Sequence, residues 1–300
     1  MSSSTPLTIH AHAKINLDLR ILGLLPDGYH EVRTVLQSLR LHDTLTFVPA
    51  RGPFVISCDD AAIPTDAANL IWRAADLLAG IAAPRRRVAG VRVELVKRIP
   101  AQAGLGGGSA DAAATLLALT RVWDLRLTLT DLATVAARLG ADVPFFLAGG
   151  TALGAGRGDD VSPLVEPPAT SVVVVVPPFG VSTPAAYRWF DLDGPPRRPG
   201  RRGRVPPASW PAWAADLRND LEAAVVRRHP AIGRLVRLLR TLGADHAAMS
   251  GSGSAVFGLF SDAETAAAAH AALERRAVKA WLTATLPRAA VARERRRVLG

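Results

Sequence analysis

The chain has 300 residues, 49% apolar and 21% charged, with a formal net charge of +10. That length and balance describe one large or two ordinary globular domains with material for buried cores, and exclude a disordered or fibrous chain. No apolar run reaches the roughly twenty residues of a membrane span, and the N-terminal Met1-Ser2-Ser3-Ser4-Thr5-Pro6 lacks a basic stretch followed by an apolar core, so neither a membrane nor a secretory route is expected.

Residues 7–22 read as a strand pair or one bent strand. From His12 to Ile21 the pattern alternates, with Ala13, Ile15, Leu17, Leu19 and Ile21 on one face and Lys14, Asn16 and Asp18 on the other. Pro26-Asp27-Gly28-Tyr29-His30-Glu31 has the composition of a turn, and residues 32–48 read as extended. The single cysteine, Cys58, can form no internal disulfide, which fits a reducing cytoplasm; it reads as a small half-buried residue rather than a nucleophile. Thr65-Asp66 opens a helix to about Leu78, with Asp66 as its cap. After Arg85-Arg86-Arg87, residues 91–97 alternate as a strand should, and a helix is expected from Ser109 to about Trp123. Thr130-Asp131 caps a further helix that ends at Gly140 and is followed by Ala141-Asp142-Val143-Pro144.

Beyond Gly149 and Gly150 the chain changes character. Residues 171–176 form a β-branched strand closed by Pro177-Pro178, and residues 193–207, rich in Pro, Arg and Gly, read as a long surface loop or disordered segment. Helices are expected at 220–228 and 230–242, then short segments around residues 249–254, a strand through Phe260 and an Ala-rich helix at 262–278. Strands and helices mix without a regular βαβ alternation, so the fold class is α+β, divided into residues 1–165, 166–290 and a basic tail, 291–300. The arginines concentrate in Pro-flanked loops and that tail, and the aromatics, 5% of the chain, are not interleaved with them. The charge therefore does not build a nucleic-acid platform.

Between the strand at 91–97 and the helix from Ser109 lies Pro100-Ala101-Gln102-Ala103-Gly104-Leu105-Gly106-Gly107-Gly108-Ser109-Ala110-Asp111, with four glycines in five positions. Glycine permits φ > 0 and removes the Cβ atoms that would hold a ligand off the backbone. The first free amides of the helix then make an anion cradle, most naturally for phosphate. The loop is no Walker A sequence, since no Gly-Lys-Ser/Thr follows, and Ser109 stands where a dinucleotide fingerprint needs its third glycine. Lys14 and Asp142 each have an ordinary reading alone, a solvated lysine and a capping aspartate. Brought beside a phosphate cradle they form an acid/base pair: the carboxylate accepts a hydroxyl proton while the ammonium keeps it ionised and steadies the transferring group.

Pro100 to Ser109 resembles the phosphate-binding motif of the GHMP kinases. Ala13-Lys14-Ile15-Asn16-Leu17, Pro26-Asp27-Gly28-Tyr29-His30, Asn69-Leu70-Ile71, Lys97-Arg98-Ile99-Pro100, Gly140-Ala141-Asp142-Val143-Pro144, Asn219-Asp220-Leu221 and Ser250-Gly251-Ser252-Gly253 extend the resemblance, in order, over residues 13 to about 260. Asp27-Gly28-Tyr29-His30 points to the branch that phosphorylates 4-diphosphocytidyl-2-C-methyl-D-erythritol in the non-mevalonate isoprenoid route. The resemblance implies a cytoplasmic two-domain enzyme, its N-terminal domain like the second domain of ribosomal protein S5 and its C-terminal domain an α/β-plait, with the active site between them. It implies ATP and Mg²⁺ as cofactors, a small-molecule substrate, and a monomer or weak homodimer. Lys14 and Asp142 match the catalytic pair, Asp142 taking the proton of the 2-hydroxyl. Asn69, Lys97 and Pro100 match the adenine side; Gly104, Leu105, Gly106, Gly107, Gly108 and Ser109 match the phosphate loop. Asn16, Tyr29, His30 and Thr183 match the substrate side, with Tyr29 and His30 at the cytosine, and Gly251 and Gly253 match the third glycine motif. Two positions depart from a loop that often reads Ser-Ser-Asn: Ala110 has lost a hydroxyl and Asp111 cannot donate, so both are expected to meet a ligand through backbone alone. No metal ligand and no role for residues 197–204 follow from the resemblance. A sibling kinase of homoserine or a mevalonate derivative would share the glycine loop, and a basic nucleic-acid binder would depend on charge alone.

Overall fold

The computed structural model describes residues 5–82, 88–194, 214, 216–276 and 278–300. Arg85-Arg86-Arg87 and the arginine-rich residues 197–204 lie outside the described residues. Two antiparallel strands, β1 (Leu7–Leu24) and β2 (His30–Ala50), run beside each other from Leu7↔Phe47 to Leu24↔His30. One bent strand, not a strand pair, therefore carries the first motif. The N-terminal unit continues with β3 (Val55–Cys58), α1 (Leu70–Ala82), β4 (Gly90–Val96), α2 (Gly107–Val122), α3 (Leu129–Leu139), α4 (Val143–Ala148), β5 (Thr151–Ala155) and β6 (Asp160–Pro163). Its sheet has the order β3-β4-β2-β5-β6, with β1 paired along β2 and only β3 and β4 parallel.

The second unit is built from β7 (Ser171–Val175), α5 (Thr183–Asp193), α6 (Glu222–Arg228), α7 (Pro230–Thr241), β8 (His246–Met249), β9 (Val256–Phe260), α8 (Ala263–Glu274) and β10 (Ala280–Ala284). Its antiparallel sheet has the order β10-β7-β9-β8. Strand β7 is apolar throughout because both faces are covered: Val173 and Val175 pack with Ile232, Val236 and Leu273 from the helices, while Val172 and Val174 pack with Ile15, Leu17, Val35 and Leu39 of the first unit. The two units thus share a core, beside a separate one where Ile9, Phe47, Leu78 and Leu116 meet. No helix among the described residues is long and apolar enough to cross a membrane.

Several local expectations are corrected. Helix α1 is capped by Asn69, whose Oδ1 accepts the Ile71 amide at 2.9 Å; Asp66 sits one turn too early and serves the loop. Helix α3 begins two residues earlier than Thr130-Asp131 suggests, because Thr128 and Asp131 close a reciprocal capping box. Helix α2 starts at Gly107 rather than Ser109, since Gly106 with φ +72° makes the turn into it. Asp18 leaves the face of Lys14 and Asn16: a register shift between Asn16 and Asp18 turns its carboxylate toward the Arg20 guanidinium at 2.9 Å and the Arg218 amide at 3.0 Å.

Residues 291–300 are not a tail. They belong to α9 (Arg288–Leu299), which returns to the N-terminal unit. Val291 and Val298, two turns apart, face inward there, Val298 almost fully buried against the first core and Val291 against Gly149. Glu294 accepts from the His10 amide at 3.0 Å and pairs with His12 at 3.1 Å. Arginine density in the sequence masked this apolar spacing.

Candidate active site

A cleft of about 430 Å³ opens between the two units. Its floor is the glycine loop, and the loop conformation explains its glycines. Gly104 has φ +78°, and a Cβ there would stand 2.4 Å from the Ser250 carbonyl oxygen; at Gly106 it would stand 2.6 Å from the Phe146 ring. Only glycine lets these backbones approach so closely. No side chain caps α2, so its first amides, on Gly107, Gly108 and Ser109, remain for a ligand on the cleft wall. Pro100 also lines the cleft. Leu105 does not; it is buried in the shared core, and Ala110 is buried beneath the first helical turn.

Lys14 enters from β1, its amide donating to the Leu105 carbonyl at 2.9 Å. Its ammonium donates to Asn16 Oδ1 at 2.6 Å and lies 3.3 Å from Asp142 Oδ2. The solvated reading of Lys14 fails because the second unit covers the strand and leaves Lys14 only 3% exposed. Asp142 precedes α4 but caps nothing: no backbone amide of that helix meets its side chain. Its carboxylate, 38% exposed, faces the cleft beside Lys14. Asn16 is fixed in turn by donation to Thr34 Oγ1 at 2.8 Å, and the Asn16 amide donates to Ser250 Oγ at 3.2 Å.

The third glycine motif closes the cleft from the second unit. Ser250 donates to the Gly104 carbonyl at 2.9 Å, tying the two glycine segments together. Gly251 has φ +55°, and a Cβ on it would come within 3.0 Å of Asn16 Oδ1. Gly253, with φ +86°, faces the Met249 sulfur instead of the cleft. Thr183 begins α5 and shares a hydrogen bond of 2.9 Å with Ser252; both residues line the cleft.

Lys97 and Asp111 form a buried ionic group with Asp43. The Lys97 ammonium bonds Asp43 and, at 2.8 Å, Asp111 Oδ2. Asp43 is fully buried and also accepts the Ile99 amide at 2.8 Å. Burial pushes the Asp111 carboxyl up to about 7, with Lys97 pulling it down and the Asp43 carboxylate pushing it further up. Burial disfavours the Lys97 ammonium, but the carboxylates of Asp111 and Asp43 outweigh it and raise its pKa. Asp111 therefore does not present backbone alone: its side chain anchors Lys97, and its Oδ1 is buried without a hydrogen-bond partner among the described residues. Asn69 lines the cleft with its amide committed, donating to the Pro64 carbonyl at 2.7 Å while capping α1.

Tyr29 and His30 lie outside the cleft wall. Tyr29 is exposed with the Arg157 guanidinium 4.3 Å above its ring. His30 pairs with Asp191 at 2.7 Å and stacks on Tyr187, ring centroids 4.7 Å apart. Tyr187 does line the cleft, and burial together with the Asp142 charge pushes its phenol up to about 12. Sequence reasoning missed Tyr187, Asp43 and Thr34, and named Ser250 only as part of the third glycine motif, with no role of its own. The only available signal was for Tyr187, one of two tyrosines and one helical turn beyond Thr183.

Residues 69–150 match the GHMP kinases N terminal domain and residues 208–280 the GHMP kinases C terminal domain. The chain is 44% identical over 265 residues to the 4-diphosphocytidyl-2-C-methyl-D-erythritol kinase of Pelotomaculum thermopropionicum, covering 87% of this chain and 91% of that one. It is 43% identical over 271 residues to the protein of the same name from Moorella thermoacetica, covering 87% and 92%. A crystal structure of 4-(cytidine 5'-diphospho)-2C-methyl-D-erythritol kinase superposes with a TM-score of 0.77 at 36% identity, over 93% of this chain and 99% of that one. Homoserine kinase from Cytophaga hutchinsonii, at 18% identity, a TM-score of 0.68 and 96% coverage of both chains, shares the fold.

Proposed function

The chain belongs to the 4-diphosphocytidyl-2-C-methyl-D-erythritol kinases of the GHMP family, and from that premise we propose that Asp142 and Lys14 carry the transfer of the ATP γ-phosphate to the substrate's 2-hydroxyl. The observation that carries this reading is their contact of 3.3 Å, beside an uncapped helix N-terminus. Phosphoryl transfer asks the protein for position and charge rather than covalent chemistry. The amides of Gly107, Gly108 and Ser109 hold phosphate oxygens against the positive end of α2. Asp142 accepts the hydroxyl proton as the oxygen attacks phosphorus. Lys14, held by Asn16, pairs with Asp142 and faces the charge that spreads over the transferring group.

Mg²⁺ fits this cleft as a companion of the nucleotide. Such an ion needs only one or two protein oxygens besides phosphate and water, and the Ser109 hydroxyl and the unpartnered Asp111 Oδ1 are the oxygens that would hold it. When bound, it supplies charge neutralisation at the leaving diphosphate. On the substrate side, Asn16 and Thr183 face the methylerythritol, and the stacked pair of His30 and Tyr187 offers a ring and an imidazole edge to the cytosine, with Tyr29 outside them.

Asp142→Asn tests the base directly. ADP release with the CDP-linked substrate should fall about a hundred- to ten-thousand-fold while nucleotide binding stays near that of the parent. Near-parental turnover removes Asp142 from the role. His30→Ala should raise the KM for the CDP-linked substrate and leave the KM for ATP in place; equal rises for both sink the cytosine assignment.

A further inference from the structure

A second cavity, about 1120 Å³, lies behind the glycine loop, away from Lys14, Asn69 and Asp142. One wall is the strap of residues 97–102; the other is built by residues 176–180, α7 and Trp281. Phe179, Leu235, Leu238 and Trp281 are the large apolar side chains of its lining. Its charged groups are Lys97, Arg98, Arg234 and Lys279, against the single acid Asp60. Lys97 is committed to Asp43 and Asp111, and Arg98 pairs with Asp59 at 3.0 Å. The exposed side chains of Arg234 and Lys279 have neither hydrogen bond nor ion pair among the described residues. An open groove in which apolar side chains lie beside two unpaired cations complements a small amphiphilic anion, since the body gains from burial and the head from charge-assisted contacts.

The strap separates this cavity from the cleft, because Lys97, Pro100, Ala101 and Gln102 line both. Gln102 holds φ +53°, a left-handed conformation that a non-glycine residue keeps only when its surroundings impose it. Its side chain packs on Gly180, where a Cβ would stand 3.3 Å from Gln102 Oε1. The strap runs straight into Gly104, the close-contact glycine of the phosphate loop. A ligand pressed against residues 100–102 from behind therefore acts on the backbone that shapes the nucleotide site.

We propose that the second cavity is a regulatory site for a small anion with an apolar body, a phosphate or carboxylate head on an aliphatic chain, which alters nucleotide affinity through residues 97–102. The test uses octyl phosphate as probe on the full-length protein, followed by calorimetry with a non-hydrolysable ATP analogue saturating the cleft. Saturable binding should persist with the analogue bound, and should weaken about tenfold or more in the Arg234→Ala, Lys279→Ala double variant. Octanol alone and inorganic phosphate alone should each bind at least about tenfold more weakly than octyl phosphate. The probe should also shift the KM for ATP by about twofold or more in the parent and not in the double variant, whose basal turnover stays unchanged. Binding that disappears when the analogue fills the cleft, that survives the double substitution, or that phosphate alone matches overturns the site. Binding with an unmoved KM overturns the regulatory role. Because binding is read without turnover, the binding outcomes do not depend on the substrate assignment; only the KM measurement rests on it.

Discussion

Asp43 braces the turn that leads into the glycine loop without lining the cleft. Its carboxylate bonds the Lys97 ammonium and accepts from the amides of Arg98 and Ile99, where β4 turns toward the glycine loop. Removing one member of a buried ionic group leaves the others uncompensated, at a cost of about 3–5 kcal/mol. Asp43→Ala is expected to destabilise by that amount and to raise the KM for ATP more than it lowers turnover, because Lys97 loses its position while Asp142 keeps its own. Denaturant titration and steady-state kinetics check both parts; a variant of parental stability sinks the argument. Asp43 was illegible in the sequence for a physical reason. Its partner Lys97 is 54 residues away, and only the register of β2 on β4 brings them together. The glycine loop was legible because its signal is local, glycines between strand and helix; Lys14 and Asp142 read alone as a solvated lysine and a capping aspartate, and the motifs around them are what paired them. Thr34 belongs with Asp43, since nothing near it in the chain announces Asn16, the side chain it holds.

At the scale of elements, the sequence located most helices and misjudged their ends, because Asn69 and Thr128 outcompete Asp66 and Thr130 as caps through contacts only the folded loop makes. The largest miss was α9, and its anchor gives a test. Burial opposes the Glu294 carboxylate, but the His12 side chain and the His10 amide bond it, and the charges of both histidines add to this; together they hold it down to about 2, from an ordinary 4.5. A folded-state pKa below the unfolded one means that the stabilisation is complete above pH 4.5 and lost as the pH falls toward 2. Glu294→Gln should therefore flatten the decline of the denaturation midpoint across that window. An unchanged acid slope would show that α9 is held by Val291 and Val298 without help from this carboxylate.

At the scale of the whole molecule, the deciding feature is the core shared between the sheets. Phe257 of β9 is fully buried and clusters with Ile15 and Leu17 of β1 and Val174 of β7, directly behind the strand that carries Lys14. Interfaces between domains in one chain are ordinarily polar enough to permit relative motion. This one is packed like an interior, so the cleft is expected to keep its width, and catalytic distances are set by packing rather than by domain closure. Phe257→Ala should cost about 3–5 kcal/mol, as large-to-small core changes do. The loss should appear equally in both units, because each sheet covers one face of the other. Hydrogen exchange read at the slowest amides of α2 and of β8 checks this: equal losses in the two segments mean one cooperative body. A loss confined to β8 would mean that the N-terminal unit stands alone, and then the Lys14–Asp142 contact should survive the substitution with turnover nearly intact.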